Sequence, residues 1–236
     1  MKKTTKRHYA LIAGISLVLM AIAAGFSFGY VHGNLVVPGD SFTSYDNLVE
    51  SRSLFASGIA GWIVIFITDI MVALALYFYL KDVNRNISFI AAVLRLIYAV
   101  FLGAGIFMLL RVSGLLVPAE TANSFLVSEY LDTFMKVWSL GLIVFGIHLC
   151  VLGYLSYRSK EIPRILGILL WISGLSYFAV HGARALLPAY EIQIASVEQV
   201  LTIPMALGEM IFAFWLMIRG GLKPKSRTSA PMQMAG

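Results

Sequence analysis

The chain has 236 residues, of which 59% are hydrophobic and 13% charged, with a formal net charge of +6. Ordinary globular domains are about one quarter charged and just under half apolar, so a water-soluble fold would lack the polar residues to cover such a core. Nucleic-acid binding is excluded as the meaning of the charge, because the basic residues lie in short segments beside apolar runs, where orientation in a bilayer explains them.

Runs of about 18 apolar residues or more are long enough to cross roughly 30 Å of hydrocarbon at about 1.5 Å per residue. They predict transmembrane helices over about 9–31, 53–80, 87–110, 130–157, 164–187 and 199–218. The expected fold class is an all-α, polytopic transmembrane helix bundle of six spans over 1–218, with a disordered basic cytoplasmic tail over 219–236. The lipid bilayer is its first expected partner.

The first span has a rival reading, since a basic start, an apolar stretch and Ala21-Ile22-Ala23 resemble a secretory signal with its cleavage site. Against it, apolarity continues through Phe26, Phe28 and Val31, beyond the usual signal core. Gly25, Gly29 and Gly33 recur at four-residue spacing, as do Ser53, Ser57 and Gly61 on the second span, which predicts two facing helix surfaces at close approach. The same glycines are also a surface for a partner helix.

Orientation follows from the connecting segments. Lys2, Lys3, Lys6 and Arg7, then Lys81 and Arg85, then Arg158, Lys160 and Arg164, then Arg219, Lys223, Lys225 and Arg227 fall on one common side of the six spans. The positive-inside rule makes that side cytoplasmic, with both termini there. The opposite segments carry Asp40, Asp46, Glu50, Glu120, Glu129, Asp132, Glu191 and Glu198. Three of these segments, 34–52, 111–129 and 188–198, mix apolar and acidic residues as short interfacial helices do, and Ser44 with Asn47 and Thr121 with Ser124 are cap-like.

The second and fourth spans align without gaps, so that Phe66 to Asp69 falls on Phe145 to His148 and the turn Lys81 to Arg85 on Lys160 to Arg164. The odd spans end alike, running from Gly33 to Pro38 and Asp40, from Gly114 to Pro118 and Glu120, and from Gly182 to Pro188 and Glu191. Three helical-hairpin repeats would account for both patterns.

Counted from the cytoplasmic ends, Asp69, Arg95, His148 and Glu209 all lie roughly 12–17 Å deep, near the bilayer midplane. A charge at the centre of a span costs about 2.5–3.5 kcal/mol on insertion scales, so such groups face the bundle interior and pair with one another. They are candidates for binding a small polar or anionic ligand or for relaying protons, with Arg95 holding an anion or one carboxylate and His148 exchanging protons. The plainer reading is a salt-bridge network that fixes helix register. Nearer the external face, His32, Lys136, His181 and Arg184 form an outer tier, either an anion entrance or interfacial anchors. A bis-histidine haem on His32 and His181 has no supporting spacing, so no cofactor is expected. Cys150 is the only cysteine and lies within an apolar run, and no metal site is expected. Zinc, Walker, Rossmann and serine-elbow signatures are absent.

Asp69 to Tyr77, Val83 to Asn86, Phe145 to Tyr154, Ile162 to Gly167 and Leu207 to Glu209 resemble the bacterial membrane family known as domain-of-unknown-function family 4386. The likeness runs from the first span to the sixth, and Gly146-Ile-His148-Leu149 through Gly153-Tyr154 is its most specific part. The resemblance implies a protein of a bacterial inner (plasma) membrane and no particular activity. Three function classes follow from the residues: a small-solute or proton-coupled transporter with a midplane polar site, an intramembrane enzyme or redox protein acting on a lipid-like substrate, and a non-catalytic sensor or assembly subunit. No Pro-Gly interruption is apparent at the midplane, which counts against the first.

Overall fold

The computed structural model describes residues 3–116 and 124–222. α1 (Lys3–Ala24) continues through a π-helical stretch, Gly25–His32, into a final turn, α2 (Gly33–Leu35). The short α3 (Ser41–Glu50) follows, then α4 (Arg52–Leu80), α5 (Arg85–Leu115), α6 (Ser124–Arg158) and α7 (Arg164–Leu186). A 3-10 turn, Pro188–Tyr190, leads into α8 (Glu191–Ile218). Six of these helical runs are long and apolar enough to cross a membrane, so the protein is an all-α, six-span bundle. The expected tail from 223 onward, Pro118, Glu120 and Thr121 lie outside the described residues.

The caps show how local chemistry sets the ends. Asn84 accepts from Ile87 N at 3.0 Å and starts α5. Asp40 accepts from Thr43 N at 3.0 Å and from Thr43 Oγ1 at 2.7 Å and starts α3. The expected cap at Ser44 is therefore corrected: its hydroxyl donates to the Asp40 carbonyl at 2.7 Å, inside the first turn. No separate interfacial helix fills 188–198, because Pro188 opens the 3-10 turn with a preset φ and Glu191 suits the first turn of the helix dipole, so α8 begins there.

The six long helices close a ring. Each packs on its neighbour in sequence, α1 on α4, α4 on α5, α5 on α6, α6 on α7 and α7 on α8, and α8 returns to α1. Arg7 clasps that last seam at the end of α8, donating to the carbonyls of Leu216 at 3.1 Å and Gly220 at 2.8 Å.

Glycines set the closest approaches, though not the ones anticipated. A Cβ on Gly58 would lie 2.7 Å from Val31 Cγ1, and one on Gly61 would run into Ser27 Oγ. Gly25 and Gly29 have nothing within 4 Å and Gly33 only a carbonyl of its own helix at 3.9 Å. The pairing of Gly25, Gly29 and Gly33 with the second span is thus corrected: Ser27 and Val31 occupy the buried face, and the glycines point outward. The tightest crossing joins α6 and α7. Gly146 meets Gly174 and Gly153 meets Gly167, each position leaving 2.7 or 2.8 Å between an added Cβ and the opposing glycine carbonyl. The two pairs are seven residues apart on both helices, which keeps them on one face of each.

Apolar side chains inside the ring form two buried clusters. One, toward the chain termini, includes Leu17, Val72, Tyr98, Phe145, Leu149 and Phe212. The other, toward the acidic end, includes Val31, Phe55, Trp62, Leu102 and Phe134. Met20 and Trp138 pack against both, and the ionisable layer lies at that boundary.

Candidate functional site

Each helix contributing to the layer is apolar over most of its length, so a single polar side chain turned inward must find partners on other helices. Arg95 of α5 is the hub and has no exposed surface. Its Nε donates to Asp69 Oδ1 of α4 at 2.9 Å, and its Nη1 donates to Glu209 Oε1 of α8 at 2.9 Å. Nη1 also lies 3.2 Å from His148 Nε2 of α6, Nη2 lies 3.5 Å from Met20 Sδ of α1, and the guanidinium stands 5.3 Å from the centre of the Phe145 ring. All four midplane residues are brought together, and both acids pair with Arg95.

The donors and acceptors fix the state of His148. Its Nδ1 is 2.8 Å from the Ala91 carbonyl, which can only accept, so Nδ1 carries the hydrogen. Arginine can only donate, so Nε2 facing Nη1 holds the lone pair. The ring is the neutral Nδ1–H tautomer and brings no charge to the layer. One guanidinium then faces two carboxyl groups, and ionising both leaves a surplus negative charge in the bundle interior. Asp69 Oδ2 is buried and has no hydrogen-bond partner. Glu209 keeps 17% of its side chain exposed and is the layer's opening to its surroundings. Beneath His148, a space of about 10 Å³ bordered by Tyr77, Ser88 and Ala91 is about the size of one water.

The outer tier divides. Arg184 is held by Glu191 at 2.9 Å and Glu198 at 2.7 Å, and His181 bonds Ser139 Oγ through Nδ1 at 2.9 Å with Glu198 3.9 Å from its Nε2. Lys136, Ser139 and Arg184 line a cavity of about 680 Å³ together with Asp132 and Glu191. His32 instead stacks on Phe28 at 5.5 Å, and Phe28 meets Trp138 edge-on at 5.0 Å.

Sequence reasoning missed the link between the tiers. Tyr177 stacks on His181 at 6.0 Å and meets Phe145 edge-on at 5.2 Å, while Phe145 lies against Arg95 and His148. The spacing of Tyr177, His181 and Arg184 put them on one helix face, but the contact of Tyr177 with Phe145 of another helix left no local signal. A proline interruption was missed as well. Pro204 lies inside α8 between Glu198 and Glu209, its carbonyl accepts from Ser173 Oγ at 2.6 Å, and a Cβ on Gly208 would strike that same hydroxyl. Proline within a helix removes the ladder hydrogen bond to the carbonyl four residues back, here that of Val200.

The family model described as Domain of unknown function (DUF4386) matches residues 12–220, and the chain belongs to that family. An uncharacterized protein of Archaeoglobus fulgidus is 33% identical over 162 residues, covering 69% of this chain and 83% of the relative, so the similarity extends to an archaeal protein. No solved structure matches the chain.

Proposed function

We propose that this member of the DUF4386 family is a small-solute permease whose transport step is coupled to a proton held by the Asp69–Glu209 pair, with both termini in the cytoplasm. The observation that carries the reading is the buried Asp69 Oδ2, which lacks a hydrogen-bond partner in a layer where one guanidinium answers two carboxyl groups. A proton on one carboxyl removes the surplus charge, and releasing it through the partly exposed Glu209 restores it. The cavity of about 680 Å³ has the size of a small-molecule site. The column His181, Tyr177 and Phe145 joins the outer tier to Arg95. Pro204 supplies a weak point in α8 between its two inward acids.

The test uses proteoliposomes loaded with a pH-sensitive dye and challenged with a panel of small acids, amines and zwitterions. Proton movement that depends on one solute class, is present in wild type and is lost in Glu209→Gln supports the reading. Proton flux absent for every solute, with equal thermal stability of wild type and Glu209→Gln from pH 5 to 8, would sink it.

A second reading has its own observation. Arg95 and Asp69 have no exposed surface, and the guanidinium already bonds Asp69, Glu209 and His148. That favours a network that sets the register of α4, α5, α6 and α8.

A further inference from the structure

The end of the bundle where the chain termini lie carries a second cavity, of about 580 Å³, between the end of α6 and the start of α7. Tyr157, Arg158, Ser159, Lys160, Ile162 and Arg164 line it, and no carboxylate is among them. The one acid of this loop, Glu161, is engaged elsewhere, accepting from Lys6 Nζ at 2.9 Å. Arg158, Lys160 and Arg164 are exposed, and among the described residues none pairs with a carboxylate. Orientation in the bilayer accounts for basic residues at this end but not for a cavity walled by three of them.

Tyr157 is the aromatic residue of the remaining wall, and Trp171 lies behind it. The Arg164 guanidinium stands 5.4 Å from the Tyr157 ring centre, Tyr157 stacks on Trp171 at 5.4 Å, and the Trp171 indole donates to the Cys150 carbonyl at 2.9 Å. Trp171 sits on α7 seven residues past Arg164, about 10 Å nearer the midplane by helical rise. Cations at the mouth above amphipathic rings match a phosphate headgroup above its glycerol and first methylenes.

We propose that this cavity binds the phosphate headgroup of an anionic phospholipid. The charges come from three residues within one loop and its flanking turns, so the site does not depend on the transport reading.

The full chain is purified in detergent with phosphatidylglycerol or phosphatidylcholine added, and retained lipid is counted by native mass spectrometry. Wild type is expected to retain phosphatidylglycerol over phosphatidylcholine. Each charge removed should weaken retention about fivefold, reaching about a hundredfold in Arg158→Gln/Lys160→Gln/Arg164→Gln, with Arg85→Gln unchanged. If the triple variant does not fold, Lys160→Gln alone, at an exposed position, must still lower retention. Equal retention of the two lipids, an unchanged triple variant, or an equal loss in Arg85→Gln overturns the site. Soluble glycerol phosphate that raises thermal stability as strongly as the lipid overturns the assignment to a lipid.

Discussion

Arg95 Nε donates to Asp69 Oδ1 across 2.9 Å, and neither side chain keeps any exposed surface. The pair joins the middles of α4 and α5, and Glu209 extends it to α8 at the same distance. Removing one member leaves a desolvated charge, whereas replacing both by apolar groups removes the cost along with the bond. Arg95→Met should therefore lose about 3–5 kcal/mol by leaving Asp69 and Glu209 unpaired, and Asp69→Leu/Arg95→Met should recover the part that comes from the fully buried Asp69. Unfolding in denaturing detergent measures both, and a double variant no more stable than Arg95→Met would contradict the account.

His148 sits between an obligate acceptor and an obligate donor. Nitrogen-15 spectra of histidine-labelled protein in detergent should give its ring as the Nδ1–H tautomer at pH 7. A hydrogen on Nε2 would place two donors face to face and would refute the hydrogen-bond assignment.

The glycine crossing of α6 and α7 has no room for a side chain, since the opposing atoms are backbone. Gly146→Ala and Gly167→Ala should each cost about 1–3 kcal/mol through forced separation of the helices. Gly25→Ala and Gly29→Ala, which open into empty space, should be neutral or stabilising by up to about 1 kcal/mol. Comparable losses at all four positions would contradict this division into packed and open glycines.

Asp40 lies outside the spans, and its two hydrogen bonds from Thr43 hold its carboxyl below the ordinary carboxylate range. A depressed folded pKa means that the cap is fully present above the unfolded value and is lost as pH falls through the folded one. Amide exchange over 41–50 should accelerate in acid in wild type. Asp40→Asn should keep a cap whose strength no longer follows pH, and Asp40→Ala should exchange quickly throughout. An acid response that survives in Asp40→Asn would assign it to another group.

Much of the architecture was legible because a bilayer simplifies the code. Backbone groups within hydrocarbon must be satisfied inside each segment, so an apolar run of sufficient length is a helix with few competitors. Counting along those helices also brought Asp69, Arg95, His148 and Glu209 to one depth. Asp69 and His148, which the gap-free match of the second and fourth spans aligns, both touch Arg95.

Facing surfaces were less legible. The spacing of Gly25, Gly29 and Gly33 pointed to a close helix contact, yet Ser27 and Val31 make it, because four-residue spacing marks a stripe without saying which stripe turns inward. Gly146, Gly153, Gly167 and Gly174 carried a matching seven-residue interval, but only antiparallel packing of α6 on α7 turns it into two contacts. Pro204 passed unnoticed for a similar reason: its setting depends on Ser173 of the neighbouring helix, whose hydroxyl donates to its carbonyl.

Length and hydropathy by themselves determined six helices and a common level for Asp69, Arg95, His148 and Glu209, since both follow from local rise and from the cost of polar groups in hydrocarbon. Only the closing of the ring, α8 against α1, decided that Glu209 reaches Arg95 and that one guanidinium must answer two acids. Partners on different helices are fixed by rotation about each helix axis, and that rotation is set by packing against neighbours far away in the chain.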